Sequence, residues 1–121
     1  MDVSAIDAST QCFGITSRFP LGFSPAAMHK LAHPDGEVGT SHAAGKAGVN
    51  MILSQYATAS IEEVITAGEG SGNAYGFQVC LVDDWAANVQ SIKRAEGMSS
   101  DRGFCPAHSA SRRMQSSGRY R

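Results

Sequence analysis

The sequence lacks the features that would mark a membrane protein, an exported protein or a nucleic-acid-binding protein. It has no run of about 18 apolar residues and no basic stretch followed by an apolar core near its start, so neither a transmembrane helix nor a secretory signal is expected. Its net charge is only −1, which gives no general attraction to nucleic acid or to an anionic membrane. We therefore expect a cytoplasmic protein without nucleic-acid or membrane partners.

Cysteine and charged residues are also scarce. The three cysteines, Cys12, Cys80 and Cys105, are odd in number and widely spaced, so they form neither a disulfide framework nor a paired metal-binding motif. Free thiols fit a reducing compartment, and no metal site is predicted. Charged residues make up 17% of the chain and hydrophobic residues 42%, which is typical of a globular protein.

The last 24 residues differ in composition from the rest of the chain. Residues 1–97 carry five basic and ten acidic side chains, a net charge of −5, whereas residues 98–121 carry five arginines and one aspartate, a net charge of +4. Residues 98–121 contain six serines but no lysine, leucine, isoleucine or valine, so they cannot bury enough apolar surface to offset the entropy lost on ordering. We predict a domain at residues 1–97 followed by a disordered Ser/Arg-rich tail without strands or helices.

Two interpretations of this tail remain open. It is either a flexible basic arm that binds an acidic partner or RNA, or out-of-frame or intron-derived sequence that follows a truncation. The absence of lysine from residues 98–121 favours the second interpretation, because a basic arm more often uses lysine as well as arginine.

Residues 1–97 contain three strand–helix units in succession. Short apolar segments predict strands and the segments between them predict helices. The strands are expected at residues 19–24, 49–54 and 75–82, and the helices at residues 36–47, 61–67 and 85–96. Apolar strands joined by helices are typical of a parallel sheet with both faces covered. The predicted fold class is therefore α/β, with the first strand buried.

The ends of the predicted helices carry recognisable signals. Gly48 is expected to end the first helix. Ser60 and Glu63 form a capping-box pattern at the start of the second helix. Asp83 or Asp84 is expected to cap the third helix, and we prefer this interpretation to a metal-binding aspartate pair.

Small and hydroxyl-bearing residues follow the predicted strands. Parallel α/β folds place their chemistry at the carboxyl ends of the strands, which here selects residues 24–27, 54–58 and 78–82. Small side chains there let a flat ligand approach the backbone, although they also serve simple turns. The glycine-rich run at residues 68–72 precedes a strand, whereas phosphate-binding loops follow one, so we interpret it as a flexible connection.

The segments at these strand ends carry a family resemblance. Residues 24–37, SPAAMHKLAHPDGE, and residues 51–63, MILSQYATASIEE, resemble signatures of the FMN-dependent 2-hydroxy acid oxidases and dehydrogenases. This family includes glycolate oxidase, L-lactate dehydrogenase (cytochrome) and mandelate dehydrogenase. Residues 77–80, FQVC, fall where the family has a Phe-Gln-Leu-Tyr strand. The resemblance is collinear over about residues 2–97.

The resemblance implies a fold, a cofactor and an activity. The implied fold is a TIM (β/α)8 barrel, of which this chain would hold the first three units, since a complete barrel needs about 250 residues. The implied reaction oxidises a small-molecule L-2-hydroxy acid to a 2-keto acid with FMN as cofactor, and members of the family are often homo-oligomers. The backbone of Pro25, Ala26 and Ala27 would lie against the flavin ring. Ser54 would form a hydrogen bond with the ring system, and Gln78 would form one with its pyrimidine side.

The chain also departs from the family pattern. Cys80 stands where the family has a tyrosine whose hydroxyl contacts substrate, and we interpret Cys80 as a small buried hydrophobe. Tyr56 replaces a residue that is often tryptophan and is expected to pack or to line a pocket. The family's flavin-proximal lysine, its proton-accepting histidine, its carboxylate-binding arginine and its phosphate-binding groups come from later strands. No catalytic residue is therefore assigned, and the 121 residues are expected neither to turn over substrate nor to hold FMN well.

The histidines receive no catalytic assignment, and two rival functions remain open. His33 is expected to be a loop hydrogen-bonder near the first helix, and His29 and His42 to be surface residues. One rival is a non-catalytic α/β module whose basic tail binds an acidic partner. Another is a self-sufficient small doubly wound domain that keeps its three strands as an open sheet.

Overall fold

The chain forms a mixed α/β structure in the computed structural model, which describes residues 6–98 and the backbone of residues 104–105. A single turn of 3₁₀ helix, His29–Leu31, lies before the first α-helix. The remaining elements, in chain order, are β1 (Thr10–Cys12), β2 (Ile15–Ser17), β3 (Gly22–Phe23), α1 (Gly36–Ala47), β4 (Asn50–Ser54), α2 (Ile61–Ala67), β5 (Tyr75–Gln78), α3 (Trp85–Gly97) and β6 (Phe104–Cys105).

Four of the strands form one sheet. Their order is β3-β4-β5-β6, and each neighbouring pair is parallel. The strands β1 and β2 form a separate antiparallel hairpin. Each step across the larger sheet passes through a helix, as parallel neighbours require. The predicted parallel α/β arrangement is therefore confirmed.

The helices begin where the sequence predicts and end within one residue of the predicted positions. α1 ends at Gly48, whose φ of 70° lies in the left-handed region that favours glycine. In the capping box of α2, the Glu63 N–H donates to Ser60 Oγ at 3.3 Å and the Ser60 N–H donates to Glu63 Oε2 at 2.8 Å. Asp84, rather than Asp83, caps α3 by accepting two backbone N–H groups of its first turn. None of these helices is long and apolar enough to cross a membrane.

Three predictions about the strands are wrong. The first strand covers only Gly22–Phe23 instead of residues 19–24, and both of its residues are exposed, since among the described residues it lies at the edge of the sheet, beside β4. The third strand ends at Gln78 rather than at residue 82. The tail is predicted to contain no strand, yet Phe104–Cys105 pairs with β5, since an open sheet edge offers backbone hydrogen bonds that need no apolar side chain. Residues 99–103 and 106–121 of the tail lie outside the described residues.

One face of the sheet, which we call the covered face, packs against the helices. Side chains alternate between faces along a strand, and the register pairs Met51 with Tyr75 and Leu53 with Phe77. These four side chains are 2–5% exposed and lie in one hydrophobic core with residues of α1 and α2. Burial of such side chains is the main stabilising contribution to the fold.

The opposite face of the sheet, which we call the open face, has a different character. It carries five residues that alternate with those of the covered face: Asn50, Ile52, Ser54, Gly76 and Gln78. In the part of the chain that the structure describes, none of these five belongs to the hydrophobic core.

An apolar groove of about 360 Å³ lies where the β1–β2 hairpin meets the open face. Hairpin residues, residues 19–24, Asn50 and Ile52 line it. Phe19 and Leu21, which line this groove, are 47% and 64% exposed. A cluster of apolar side chains that are this exposed is typical of a surface that another structural element covers.

A pair of buried hydroxyl groups lies beneath the covered face. The Tyr75 hydroxyl lies 2.8 Å from Ser41 Oγ, which donates to the Val64 carbonyl at 2.6 Å. Gly68, just after α2, approaches so closely that a Cβ at this position would overlap the Tyr75 hydroxyl. The glycine is therefore required for the helix to pack on the sheet.

Candidate functional site

The loop after β3 presents its backbone at the carboxyl end of the sheet. Pro25 is half-buried, while Ala26 and Ala27 are exposed. The Met28 N–H donates to the Tyr56 carbonyl at 3.2 Å, which holds this loop beside the loop that follows β4. The Tyr56 side chain is 47% exposed, so it does not pack in the core. The short side chains leave this stretch of backbone accessible to a flat ligand.

Ser54 and Gln78 end neighbouring strands and are direct partners in the parallel register. Ser54 is 4% exposed, and its hydroxyl oxygen accepts the Tyr56 N–H at 3.2 Å. Within residues 6–98, neither the hydroxyl proton of Ser54 nor the side-chain amide of Gln78 has a hydrogen-bond partner. Two polar groups with unused hydrogen-bonding capacity therefore stand side by side on the open face.

Gln55 joins the ends of β4 and β5. Its backbone N–H donates to the Gln78 carbonyl at 3.1 Å, and its side-chain Oε1 accepts the Cys80 N–H at 2.6 Å. Cys80 is a free thiol and is half-buried rather than buried, because it lies past the end of β5. The sequence gives Gln55 no role, since only the strand register brings it to Cys80.

Glu37, in the first turn of α1, is the most heavily hydrogen-bonded carboxylate at this end of the sheet. Its side chain is fully buried. Oε1 accepts the His29 N–H at 3.0 Å and the Thr58 N–H at 2.9 Å. Oε2 accepts the Thr58 hydroxyl at 2.6 Å. No local pattern in the sequence indicates a role for Glu37, whose one distinguishing feature there is its place as an acidic residue in the first turn of a helix made largely of small side chains.

The hydrogen bonds of Glu37 determine its ionisation. Burial alone raises the pKa of its carboxyl, because desolvation penalises the charged form. The donors from Thr58 and His29 outweigh this effect and lower the pKa from 4.5 to about 2. Glu37 is therefore a buried carboxylate that stays ionised at neutral pH and requires its three donors.

The three histidines of residues 6–98 differ in their surroundings. His33 Nδ1 accepts the Asp35 N–H at 3.2 Å, which confirms the predicted loop hydrogen bond. His42 is exposed, as predicted. His29 is half-buried, with Nδ1 3.1 Å from Thr40 Oγ1, so its prediction as a surface residue is wrong, because α1 packs beside it.

The other motifs that could carry chemistry are structural in the described residues. Asp84 is engaged as a helix cap. Within residues 6–98 no group of three or more His, Cys, Asp or Glu side chains is placed to hold a metal. Gly70 and Gly72 adopt positive φ angles of 81° and 70° in the turn between α2 and β5, which is how a connecting turn uses glycine.

Known proteins are similar in sequence to this chain over most of the chain's length. The profile of the family described as FMN-dependent dehydrogenase matches residues 1–102. Glycolate oxidase 3 of Arabidopsis thaliana is 44% identical over 96 residues, which cover 79% of this chain and 25% of that protein. The glycolate oxidase of Spinacia oleracea is 41% identical over the same shares. The chain thus spans about a quarter of the length of the curated relatives it matches.

Solved structures match the fold as well. A mandelate oxidase variant with (S)-mandelic acid superposes with a TM-score of 0.77 at 26% identity, covering 90% of this chain and 30% of that protein. A lactate oxidase of Pediococcus acidilactici superposes with a TM-score of 0.71 at 32% identity, covering 75% of this chain and 25% of that protein. The three strand–helix units therefore correspond to part of a TIM-barrel oxidase, which confirms the predicted fold class.

Proposed function

Because the chain belongs to the family of FMN-dependent dehydrogenases, we propose that it is part of an enzyme that oxidises an L-2-hydroxy acid to a 2-keto acid. Relatives named glycolate oxidase and mandelate oxidase support a small 2-hydroxy acid as the substrate class. The chain matches about a quarter of such a relative. We therefore assign the activity to a complete barrel and expect none from these 121 residues alone.

The open face fits the ring end of FMN. A flavin ring is flat, and its pyrimidine side carries carbonyl oxygens and an N–H group. Residues 25–27 have short side chains, and Ala26 and Ala27 are exposed to the flat surface. Ser54 offers a hydroxyl proton, and Gln78 offers an amide that both donates and accepts. The observation that carries the proposal is the direct pairing of Ser54 with Gln78, each with hydrogen-bonding capacity that the described residues leave unused.

In the complete enzyme each of these residues would have a distinct task. When bound, FMN supplies the redox chemistry by accepting the two electrons that leave the 2-carbon of the substrate. Residues 25–27 would lie along the ring and keep water from it. Ser54 would donate to the ring system, and Gln78 would bond its pyrimidine edge.

Cys80 would weaken one substrate contact. Cys80 occupies the position at which the family resemblance implies a tyrosine hydroxyl. The cysteine side chain is shorter than that of tyrosine, and its thiol is a weaker hydrogen-bond donor. We therefore propose that an enzyme containing this segment holds its substrate less firmly than one with tyrosine at this position. Cys80→Tyr is the corresponding variant for a reconstituted complete barrel.

Nuclear magnetic resonance of the ¹⁵N-labelled chain tests the proposal directly. Titration with riboflavin or FMN into the millimolar range should shift the amides of residues 26–27, the Ser54 amide and the side-chain amide of Gln78. The two flavins should act alike, because the residues assigned to the site contact only the ring. Binding should be weak, since part of a barrel leaves the other side of the ring in water.

Matched variants make the titration specific. Ser54→Ala and Gln78→Ala should each reduce the flavin-induced shifts. Ser91→Ala and Gln90→Ala, which change the same residue types on α3, should not. Shifts confined to α3, or no shifts in the unmodified chain at millimolar flavin, would reject the flavin site.

A non-catalytic role for the basic tail is the competing proposal. Residues 98–121 carry a net charge of +4 against −5 in the rest of the chain, which supports binding of an acidic partner at low salt. Deletion of residues 98–121 distinguishes the two, because it should abolish such binding and leave the flavin-induced shifts intact. We further propose a cytoplasmic location, which the free thiols of Cys12 and Cys80 support.

A further inference from the structure

Glu37 connects two loops that are far apart in the sequence. One loop follows β3 and contributes the His29 N–H to Oε1. The other follows β4 and contributes both the N–H and the hydroxyl of Thr58. One buried carboxylate on α1 therefore holds both loops at the carboxyl end of the sheet.

The other contacts between these loops depend on the same alignment. The Met28 N–H donates to the Tyr56 carbonyl at 3.2 Å, and the Lys30 N–H donates to Thr58 Oγ1 at 3.4 Å. Met28 itself has a φ of 55°, a left-handed conformation that is unfavourable for a residue with a side chain. Such a conformation persists where its surroundings impose it, and here it lies directly between residues 25–27 and the Glu37 contacts.

We propose that Glu37 is a positioning residue that fixes the backbone of residues 25–27 beside the end of β4, in the place where a flavin ring would contact it. The inference rests on the proposed function for its ligand, but the connection between the loops stands on the hydrogen bonds alone. Glu37 itself touches no flavin in this arrangement, because its oxygens are engaged by Thr58 and His29.

A glutamine at this position tests the role of the carboxylate. Glu37→Gln keeps the shape and one acceptor oxygen, but its NH₂ group cannot accept the Thr58 hydroxyl as Oε2 does. It also removes the negative charge that strengthens the bonds from the His29 and Thr58 N–H groups. Hydrogen exchange should accelerate by about tenfold at the amides of Met28, His29 and Thr58. Exchange at Met51 and Asn88, which lie in β4 and α3, should stay unchanged, whereas general destabilisation would accelerate all of these amides together.

Two further variants keep the test informative if Glu37→Gln fails to fold. Thr58→Val removes the hydroxyl that donates to Glu37 and accepts the Lys30 N–H. Thr58 is exposed, so the chain should fold and show a smaller acceleration at the same amides. Thr58→Ser keeps the hydroxyl and should restore slow exchange. Glu96→Gln, on the exposed end of α3, is the control for loss of a carboxylate.

Flavin titration of the same variants separates the inference from the proposed function. If riboflavin shifts residues 26–27 in the unmodified chain and less so in Glu37→Gln, both stand. Equal shifts in the two chains would overturn the positioning role and leave the flavin site in place. Absence of shifts in the unmodified chain would overturn the flavin site and the flavin part of this inference. Unchanged exchange in Glu37→Gln and Thr58→Val would overturn the connection between the loops itself.

Discussion

The covered face and the open face of the sheet are made by the same strands but differ in the side chains they carry, since Asn50, Ser54 and Gln78 make the open face largely polar. Met51, Leu53, Tyr75 and Phe77 pack against the helices within this chain and are almost fully buried. The open face instead presents polar groups at the carboxyl ends of its strands and an apolar groove at the hairpin. The covered face is thus packed within this chain, whereas the open face carries the polar groups that we propose for a ligand.

The largest difference between the faces is expected in a pair of substitutions at neighbouring positions of β4. Met51→Ala should lower the free energy of unfolding by about 4 kcal/mol, because it leaves a cavity in the packed core. Ile52→Ala, the next residue on the same strand but on the open face, should lower it by less than about 1 kcal/mol, as expected for a side chain that leaves little cavity. Urea unfolding measures both, and equal losses would show that the two faces are packed alike.

Packing on the covered face is also tested at Gly68. Gly68→Ala should lower the free energy of unfolding by about 3 kcal/mol, because the new Cβ meets the Tyr75 ring and hydroxyl. Tyr75→Phe in the same chain should recover part of this loss by removing the hydroxyl. Gly97→Ala is the control, since a Cβ there meets nothing within 4 Å. A neutral Gly68→Ala would mean that α2 and the sheet are less closely packed than described.

Acid is expected to release the loops beside the open face. The pKa of Glu37 is lowered from 4.5 to about 2 in the folded chain, so its contribution to stability is fully present above pH 4.5 and is lost as the pH falls through about 2. That contribution is on the order of 2 kcal/mol. Unfolding midpoints measured between pH 6 and pH 2 should fall less in Glu37→Gln than in the unmodified chain.

The acid test needs a control because other carboxyls titrate over the same range. Hydrogen bonding to Arg94 lowers the pKa of Glu62 as well, so Glu62→Gln also removes some of the acid dependence. In the Glu62→Gln chain, the loop amides of Met28 and Thr58 should lose protection from hydrogen exchange in acid, as in the unmodified chain. In the Glu37→Gln chain, acid should cause no further loss of protection at these amides, because the titrating carboxyl is absent. An identical acid response of all three chains would contradict the assignment to Glu37.

The smallest effect is expected at the ion pair between α2 and α3. Arg94 Nε and Nη2 donate to the two Glu62 oxygens at 2.8 and 2.7 Å, but both side chains are well exposed. Such pairs contribute little and are screened by salt. Arg94→Ala should therefore change the unfolding midpoint far less than Gly68→Ala, and the change should vanish in high salt. A loss as large as that of Gly68→Ala would show that charge, and not burial, holds α3.

Local signals in the sequence predict the helices, while contacts between distant residues decide the rest. Gly48, Ser60 and Asp84 act on their own neighbours, so capping chemistry alone locates the helix ends. Whether β3 is exposed depends on whether another strand lies beyond it in the sheet. No local sequence pattern gives that information. The contact of Glu37 with Thr58 joins residues 21 positions apart, and no spacing in the sequence points to it.

For the candidate site, too, local signals could be predicted from the sequence and contacts between distant residues could not. The family resemblance and the strand ends together select residues 25–27, Ser54 and Gln78, and the register makes Ser54 and Gln78 neighbours. Their roles toward a flavin stay a prediction until a ligand is added. Gln55 and Glu37, which hold the strand ends and loops in place, become visible only in the folded chain.

Flavin fluorescence titration of the purified chain tests the central claim most directly, namely that this chain carries the ring-side part of an FMN site and not a complete one. The account predicts weak binding with the same affinity for FMN and riboflavin, because the assigned residues contact only the ring. Sub-micromolar binding of FMN, or a marked preference for FMN over riboflavin, would contradict it by showing that the chain holds the phosphate and completes the site alone.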